Sequence, residues 1–309
     1  MEIRQIQYML AIAEEGNISH AAEKLFITQS ALNHQLLNLE RELGVSLFDR
    51  IGRGVRPTAA GKIYLENARK MLDIRNETYK ILADFSEVRR GEISIAFSRD
   101  WGSRIFSMVY PRFHALYPGF TFRTHEVHTS QIDQLLEKRE ISLGFAGFRK
   151  EPNPLFEYHK IYPVHLILAV PISHPLAKVA GEDSWKRRPV LDLDTLQQIE
   201  YLVMPSKGTF LRKLCDELFT SVSYQPNILF ESANTRTLAN MVINQVAPAV
   251  LPESFIEEYD KTACFSLGNA FSGYQSITSL KDSYLSKAER AFIDIYNEVY
   301  DEYVVNAAH

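Results

Sequence analysis

Nine histidines in 309 residues invite a search for metal or acid–base chemistry. The stretch "THEVH" is where it begins. His125 and His128 give the spacing H-x-x-H. On a strand, residues three apart point to opposite faces, so the two rings would not share an ion. The stretch is also one residue short of the H-E-x-x-H zinc motif, which sets two histidines one helical turn apart. His174 precedes a proline in a loop. Cys215 and Cys264 lie far apart without C-x-x-C spacing; they read as buried free thiols, with a disulfide between them as the other option. No G-x-S-x-G elbow, phosphate loop or cysteine–histidine set stands in a recognisable setting. No metal or cofactor is expected, and neither is catalytic turnover.

A different chemistry is concentrated in "NISHAAEKLFITQSALNHQLLNLERELG", residues 17–44. Leu32, Leu36, Leu39 and Leu43 are spaced four, three and four, which makes one narrow helical stripe. Thr28 suits the N-cap, with Gln29 at the first helical position. Gly44 suits a left-handed residue that stops the helix. Opposite the stripe fall Ser30, Asn33, His34, Leu37 and Arg41, flanked by Gln29 and Asn38. A shorter helix, about residues 19–25, precedes it across the tight corner "FIT", and Ala21 and Ala22 would let a neighbouring helix approach closely. Ile3, Ile6, Leu10 and Ala13 mark a first helix that ends near Gly16.

Three helices with a tight corner and an outer face of amides, hydroxyls and an imidazole fit a helix-turn-helix, whose last helix enters the major groove. Glutamine and asparagine can bond adenine in a bidentate way, and serine or histidine can reach base edges or phosphates. A polar face on an ordinary surface helix is the plain alternative. Next comes "SLFDRIGRGVRPTAAGK", which gathers Arg50, Arg53 and Arg56 around Gly52 and Gly54. That pattern suits a hairpin wing lying against a nucleic-acid backbone. The candidate DNA contacts are therefore Thr28, Gln29, Ser30, Asn33, His34, Gln35, Asn38, Arg50, Arg53 and Arg56. From Thr58, a helical pattern runs without proline to about residue 90. Leu65, Ala68, Leu72, Tyr79 and Leu82 form a stripe interrupted by Arg75, which a second chain would cover in a coiled coil.

The order "QYMLAIAEEGNISHAAEKLFITQSALNHQLLNLERELGVSLFDRIGRGVRPTAAGK" resembles the N-terminal winged helix-turn-helix of LysR-type transcriptional regulators. The resemblance implies a recognition helix over about 29–43, a wing over about 47–57 and a dimerising linker helix. The family often has Ser-Arg where Asn33 and His34 stand, and basic residues where Leu37 and Asn38 stand. The recognition helix here has no certain positive charge before Arg41, which shifts phosphate contact toward the wing.

Beyond residue 91 the texture becomes α/β. "EISIAFS", "FTFRTHEV" and "ISLGFAGF" read as strands separated by helical segments, and "VHLILAVPISHPLA" opens a second run of the same kind. That alternation predicts parallel, doubly wound sheets with ligands outside the carboxyl ends of strands. The resemblance implies two subdomains like those of periplasmic binding proteins, with an effector in the cleft between them. The expected division is 1–58 for the winged domain, 59–90 for the linker helix and 91–309 for the effector domain. Its subdomains are 91–163 with 270–309, and 164–269. In "NQVAPAVLP", Gln245 and Pro248 stand where the family commonly has a glycine-rich turn.

The candidate effector contacts are Ser98, Arg99, Asp100 and Trp101 after the first strand, Thr129 and Ser130 at a helix start, and Met204, Ser206 and Thr209 opposite. Thr129 and Ser130 either hold a carboxylate on free N–H groups or merely cap their helix. Arg99 either bonds an acidic ligand, pairs with Asp100 or faces solvent.

No apolar run reaches the roughly 20 residues of a membrane span. The first 16 residues lack a basic start and a small-residue cleavage site, which implies a cytoplasmic protein. A net charge of −4 and a pI near 6.2 argue against generic polyanion binding, yet leave room for a local basic patch. The expectation is a homo-oligomer, a dimer through the linker helix and a tetramer overall. It would bind double-stranded DNA and a small-molecule effector, with RNA polymerase as a further contact. The rivals are a solute-binding protein, which has no use for residues 1–60, and an α/β enzyme.

Overall fold

The computed structural model describes residues 2–52, 54–86, 90–149, 152–181, 184–256, 258, 260–268 and 273–307. Arg53 of the wing and the subdomain boundary at position 270 lie outside them. The chain forms two compact units, Met1–Glu87 and Val88–His309.

The first unit is built by α1 (Ile3–Glu15), α2 (Ile18–Lys24), α3 (Gln29–Leu43), a hairpin of β1 (Phe48–Ile51) and β2 (Gly54–Pro57), and α4 (Ala59–Phe85). Each turn has an identifiable cause. Gly16 ends α1 in the left-handed region at φ +59°, and its carbonyl accepts the Val55 N–H of the wing at 2.8 Å. A Cβ at Gly54 would sit 2.7 Å from that carbonyl oxygen, so the close approach requires glycine. Asn17 caps α2 and Thr28 caps α3 through their side-chain oxygens. Glu40 on α3 accepts the N–H groups of Leu47 and Phe48, at 2.6 and 3.2 Å, and so fixes where the wing begins. Thr58 accepts the Gly61 N–H and donates to the Ser46 carbonyl, tying α4 to the same segment.

Leu32, Leu36 and Leu39 pack with Met9, Ile12, Leu47, Phe48, Val55 and Leu65 in the core of this unit. Leu43 does not join them. It is 41% exposed, because α3 has passed the edge of the core by its last turn. The expected stripe of α4 is also redistributed. Leu65 and Ala68 are buried within the unit, while Ile63, Met71, Ile74, Leu82 and Phe85 form a second, exposed apolar row. At about 100° per residue that row spans roughly a quarter turn of the helix. The helix ends at Phe85 rather than near residue 90, where Ser86 turns extended.

The second unit runs β3 (Arg90–Phe97), α5 (Trp101–Leu116), β4 (Gly119–Glu126), α6 (Thr129–Glu137), β5 (Leu143–Phe148), β6 (Phe156–Val164), β7 (Leu166–Pro171), α7 (Pro175–Ala180), α8 (Ser184–Arg187), β8 (Tyr201–Pro205), α9 (Phe210–Ser221), β9 (Asn227–Ser232), α10 (Thr235–Ile243), β10 (Ala249–Pro252), β11 (Thr262–Ser266), β12 (Gly273–Leu280) and α11 (Lys287–Ala307). Its two five-stranded sheets have the orders β4-β3-β5-β12-β6 and β11-β7-β10-β8-β9. The expectation of wholly parallel sheets is corrected. β12 runs antiparallel to β5 and β6, and β7 runs antiparallel to β10 and β11. Those strands enter from the other sheet rather than through a helical crossover, so nothing forces them parallel.

The chain leaves the first sheet at Val164 and enters the second at Leu166, and it returns between Ser266 and Gly273. Phe113, Phe145, Phe292 and Tyr296 fill the core between the first sheet and α5 with α11. Leu168, Leu202, Met204, Leu214 and Leu218 do the same under α9. Gln245 takes the left-handed conformation at φ +62°. Its side chain accepts the Ser173 N–H and donates to the carbonyls of Ile243 and Lys261. Three hydrogen bonds thus hold a bend where glycine would be free of strain. Among the described residues, no helix is long and apolar enough to cross a membrane.

A Cβ at Gly61 would lie 1.9 Å from the Leu47 carbonyl oxygen. Gly61→Ala should therefore force α4 away from the wing and lower stability by about 3 kcal/mol. The expected readout is a lower denaturant midpoint for the first unit, and an unchanged midpoint would show that the helix yields freely.

Candidate functional site

With three leucines of α3 buried, its opposite face is fixed outward. Gln29, Ser30, His34 and Leu37 are exposed there, and Asn33 and Asn38 are half-buried. The polar groups are linked rather than loose. Asn38 donates to His34 Nδ1 at 3.2 Å, and Arg41 donates to Asn38 Oδ1 at 3.1 Å. From the wing, Arg50 donates to Asn33 Oδ1 at 3.3 Å. Thr28 and Ser30 hydroxyls lie 3.1 Å apart at the start of the helix. Gln29, Ser30, Asn33 and Arg50, with Asn17 and Gly52, line a polar concavity of about 430 Å³ between the helix and the wing. Arg56 is exposed on β2. Gln35 departs from the expected set: it is half-buried, and five residues from Ser30 place it about 140° round the helix, beside the leucine edge.

A second site lies in the other unit, a cavity of about 560 Å³ between the two sheets. Ser98, Arg99, Asp100, Trp101, Thr129 and Thr209 line it. Ser130 is exposed outside it, and Ser206 is not part of its lining. Met204 is corrected outright: it is 1% exposed within the core beneath α9, because its side of β8 faces the helix rather than the cleft.

Helix starts converge on the cavity, and most of their hydrogen-bonding capacity is already engaged. Ser98 Oγ accepts the Gly102 N–H at 3.2 Å. His128, not Thr129 or Ser130, caps α6, in a reciprocal pair with Gln131. Thr209 donates its hydroxyl proton to the Ser206 carbonyl and accepts the Arg212 N–H as the cap of α9. Arg99 is exposed at the rim. Asp100 reaches across to α10, accepting the Thr235 N–H at 2.5 Å. Burial pushes its carboxyl up from the ordinary range, and the Thr235 hydrogen bonds and the nearby Arg236 and Arg104 oppose that rise. Arg104 donates to the Ser254 carbonyl at 3.4 Å and lies 5.2 Å from the Tyr303 ring centroid.

Aromatic residues make up much of the wall, and Phe145, Phe210 and Tyr300 join Trp101 there without having been expected from the sequence. Trp101 meets Phe145 and Tyr300 edge-on, at 5.9 and 6.1 Å. Phe210 rests on Gly147 and Gly273, where a Cβ would lie 2.7 and 2.4 Å from its ring. The detectable signal was the pair of glycines in strand sequences, which marks a close approach.

Among the described residues lining the cavity, no serine or threonine hydroxyl is hydrogen-bonded to a histidine. His159 Nε2 lies 2.8 Å from Ser279 Oγ, but that serine is fully buried. Cys215 and Cys264 are free and buried; burial pushes the Cys264 thiol up to about 11 and Cys215 higher still. The described residues hold no group of three metal-ligating side chains.

Two family descriptions match the chain. "LysR substrate binding domain" covers residues 86–301, and "Bacterial regulatory helix-turn-helix protein, lysR family" covers 3–62. The Bacillus subtilis strain 168 protein named uncharacterized HTH-type transcriptional regulator YybE is 29% identical, over 82% of this chain and 83% of its own. A full-length OxyR variant from Pseudomonas aeruginosa superposes with a TM-score of 0.67 at 19% identity, covering 97% of this chain and 94% of its own. Full-length CbnR, solved with its target DNA, gives a TM-score of 0.57 at 23% identity, covering 97% of this chain and all of its own.

The Asp100 geometry makes a pH-dependent prediction. Its pKa in the folded state lies above the ordinary carboxylate value, so the folded form binds the proton more tightly. Stability from this group is therefore present at low pH and lost as pH rises through the carboxylate range to the raised value. Asp100→Asn removes that dependence while keeping an acceptor for Thr235. The melting temperature of the parent relative to the variant should rise as pH falls from 7 toward 4. A difference that stays constant with pH would refute the assigned environment.

Proposed function

The chain belongs to the LysR family of DNA-binding transcriptional regulators that carry an effector-binding domain, and we propose which of its surfaces perform those tasks. In this reading α3 lies in the major groove. Gln29, Ser30, Asn33, His34 and Asn38 face base edges, and Arg50, Arg53 and Arg56 hold phosphates. The observation that carries the reading is the bond from Arg50 to Asn33. It joins the positive wing to the centre of an outward amide face whose other edge is buried. Double-stranded DNA is the partner that matches such an arrangement, and one structural relative is solved on its target DNA.

A second copy of the chain covers the exposed row Ile63, Met71, Ile74, Leu82 and Phe85 on α4. Two recognition helices then read half-sites about one turn of DNA apart. The cleft takes a small-molecule effector. Binding there changes the angle between the two sheets and, in a tetramer, the spacing of DNA-bound pairs and the contact with RNA polymerase. The chain works in the cytoplasm, where its DNA is.

Electrophoretic mobility shift and sequence selection test the DNA assignment. Arg56→Ala should weaken binding to all sequences alike and reduce the salt slope by about 1. Asn33→Ala should alter sequence preference instead. If both variants bind as the parent does, the faces are misassigned. Ile74→Asp places a charge in the middle of the exposed row of α4. It should lower the mass measured by sedimentation by at least twofold at micromolar concentration, and an unchanged mass would place the interface elsewhere.

A further inference from the structure

Leu37 is 45% exposed at a position where the rest of the helix face is polar. At about 100° per residue it falls about 20° from Ser30, between Asn33 on one side and His34 on the other. The buried Leu32, Leu36 and Leu39 lie roughly 100° to 160° away, so Leu37 points away from the core they share. It belongs to no hydrophobic cluster of this unit. Around it the polar groups have mutual partners: His34 with Asn38, Asn38 with Arg41, Asn33 with Arg50. The face is therefore a ring of hydrogen-bonding groups with an isobutyl group at its middle.

We propose that Leu37 is a specificity-determining residue that reads thymine, its side chain meeting the C5-methyl of one thymine in each half-site. The proposal rests on the assignment of α3 to the major groove. There, each base pair displays hydrogen-bonding edges, and thymine alone adds a methyl group. A leucine offers no donor or acceptor, so against guanine, cytosine or adenine edges it desolvates polar atoms without replacing their hydrogen bonds. Against a methyl it buries apolar surface on both sides. The recognition helix here thus selects its sequence at that position by apolar contact.

The test uses the full chain and a duplex selected from a random pool by binding to it. The same duplex is amplified with dTTP or with dUTP, which differ in the C5-methyl alone. The parent should bind the thymine duplex about fourfold more tightly per contacted methyl, or about fifteenfold for two half-sites, as methylene burial implies. Leu37→Ala should bind both duplexes alike, and Leu37→Met, which keeps an apolar side chain, should retain the preference. Circular dichroism of both variants should match the parent, since the side chain supports no core contact. A parent indifferent to the methyl, or a Leu37→Ala variant that keeps the parent's full preference, overturns the proposal. Asn33→Ala, assayed alongside, separates the two levels. Unchanged sequence preference in that variant removes α3 from the groove altogether. A changed preference with no methyl effect removes Leu37 alone.

Discussion

The burial of Leu32, Leu36 and Leu39 is the constraint on which the DNA-binding unit turns. Burying each leucine stabilises by roughly 1.5–3 kcal/mol, whereas a typical net hydrogen bond contributes about 0.5–1.5 kcal/mol. Turning the helix would expose three leucines, a larger loss at central values than the three side-chain hydrogen bonds of the outward face supply. The helix is also held at both ends, by the Thr28 cap and by Gly44 in the left-handed region. In between, Glu40 grips the first residues of the wing. Orientation, register and the position of Arg50 beside Asn33 all follow from apolar packing on the far side. The residues assigned to base contact need contribute nothing to stability.

That separation explains what the sequence disclosed. Caps are local chemistry, so Thr28 and the start of α4 at Thr58 could be read from neighbouring residues, while the Asn17 cap of α2 emerges only in the structure. Period alone cannot tell which apolar row meets a given neighbour. Leu43 shares the spacing of the buried leucines yet lies past the end of the core. Leu65 and Ala68 share the spacing of a coiled-coil stripe yet pack inside their own unit. On α4 two apolar rows compete, and the deciding information is the position of α1 and the wing, which is not local.

The same limit applies to the effector domain. Alternating strands and helices indicated α/β layers, but strand direction depends on where the chain returns. β12 and β7 each follow a passage between sheets, and both run against their neighbours. Met204 was placed at a strand end in a cleft, and its alternation along β8 turned it into the core instead. His128 was set aside as half of a failed metal motif, whereas it caps α6. Ser98 and Thr209 stand where turns after strands and before helices need such residues for their own backbone groups, whereas Asp100 serves the start of α10 across the cavity.

Those local needs also shape what the cavity can offer a ligand. Ser98, Thr209 and Asp100 already have protein partners, so a polar ligand that engages these three must exchange for existing hydrogen bonds. The aromatic wall of Trp101, Phe145, Phe210 and Tyr300 faces no such competition. Apolar area is thus the freer source of affinity, and polar exchange is the source of discrimination. The Asp100–Thr235 and Arg104–Ser254 bonds both cross from the first sheet's side of the cavity to the second's. A ligand can shift the angle between the sheets only by binding the two arrangements unequally. A ligand that competes for these cross-cavity bonds meets that condition directly, while one that touches the aromatic wall on one side alone does not.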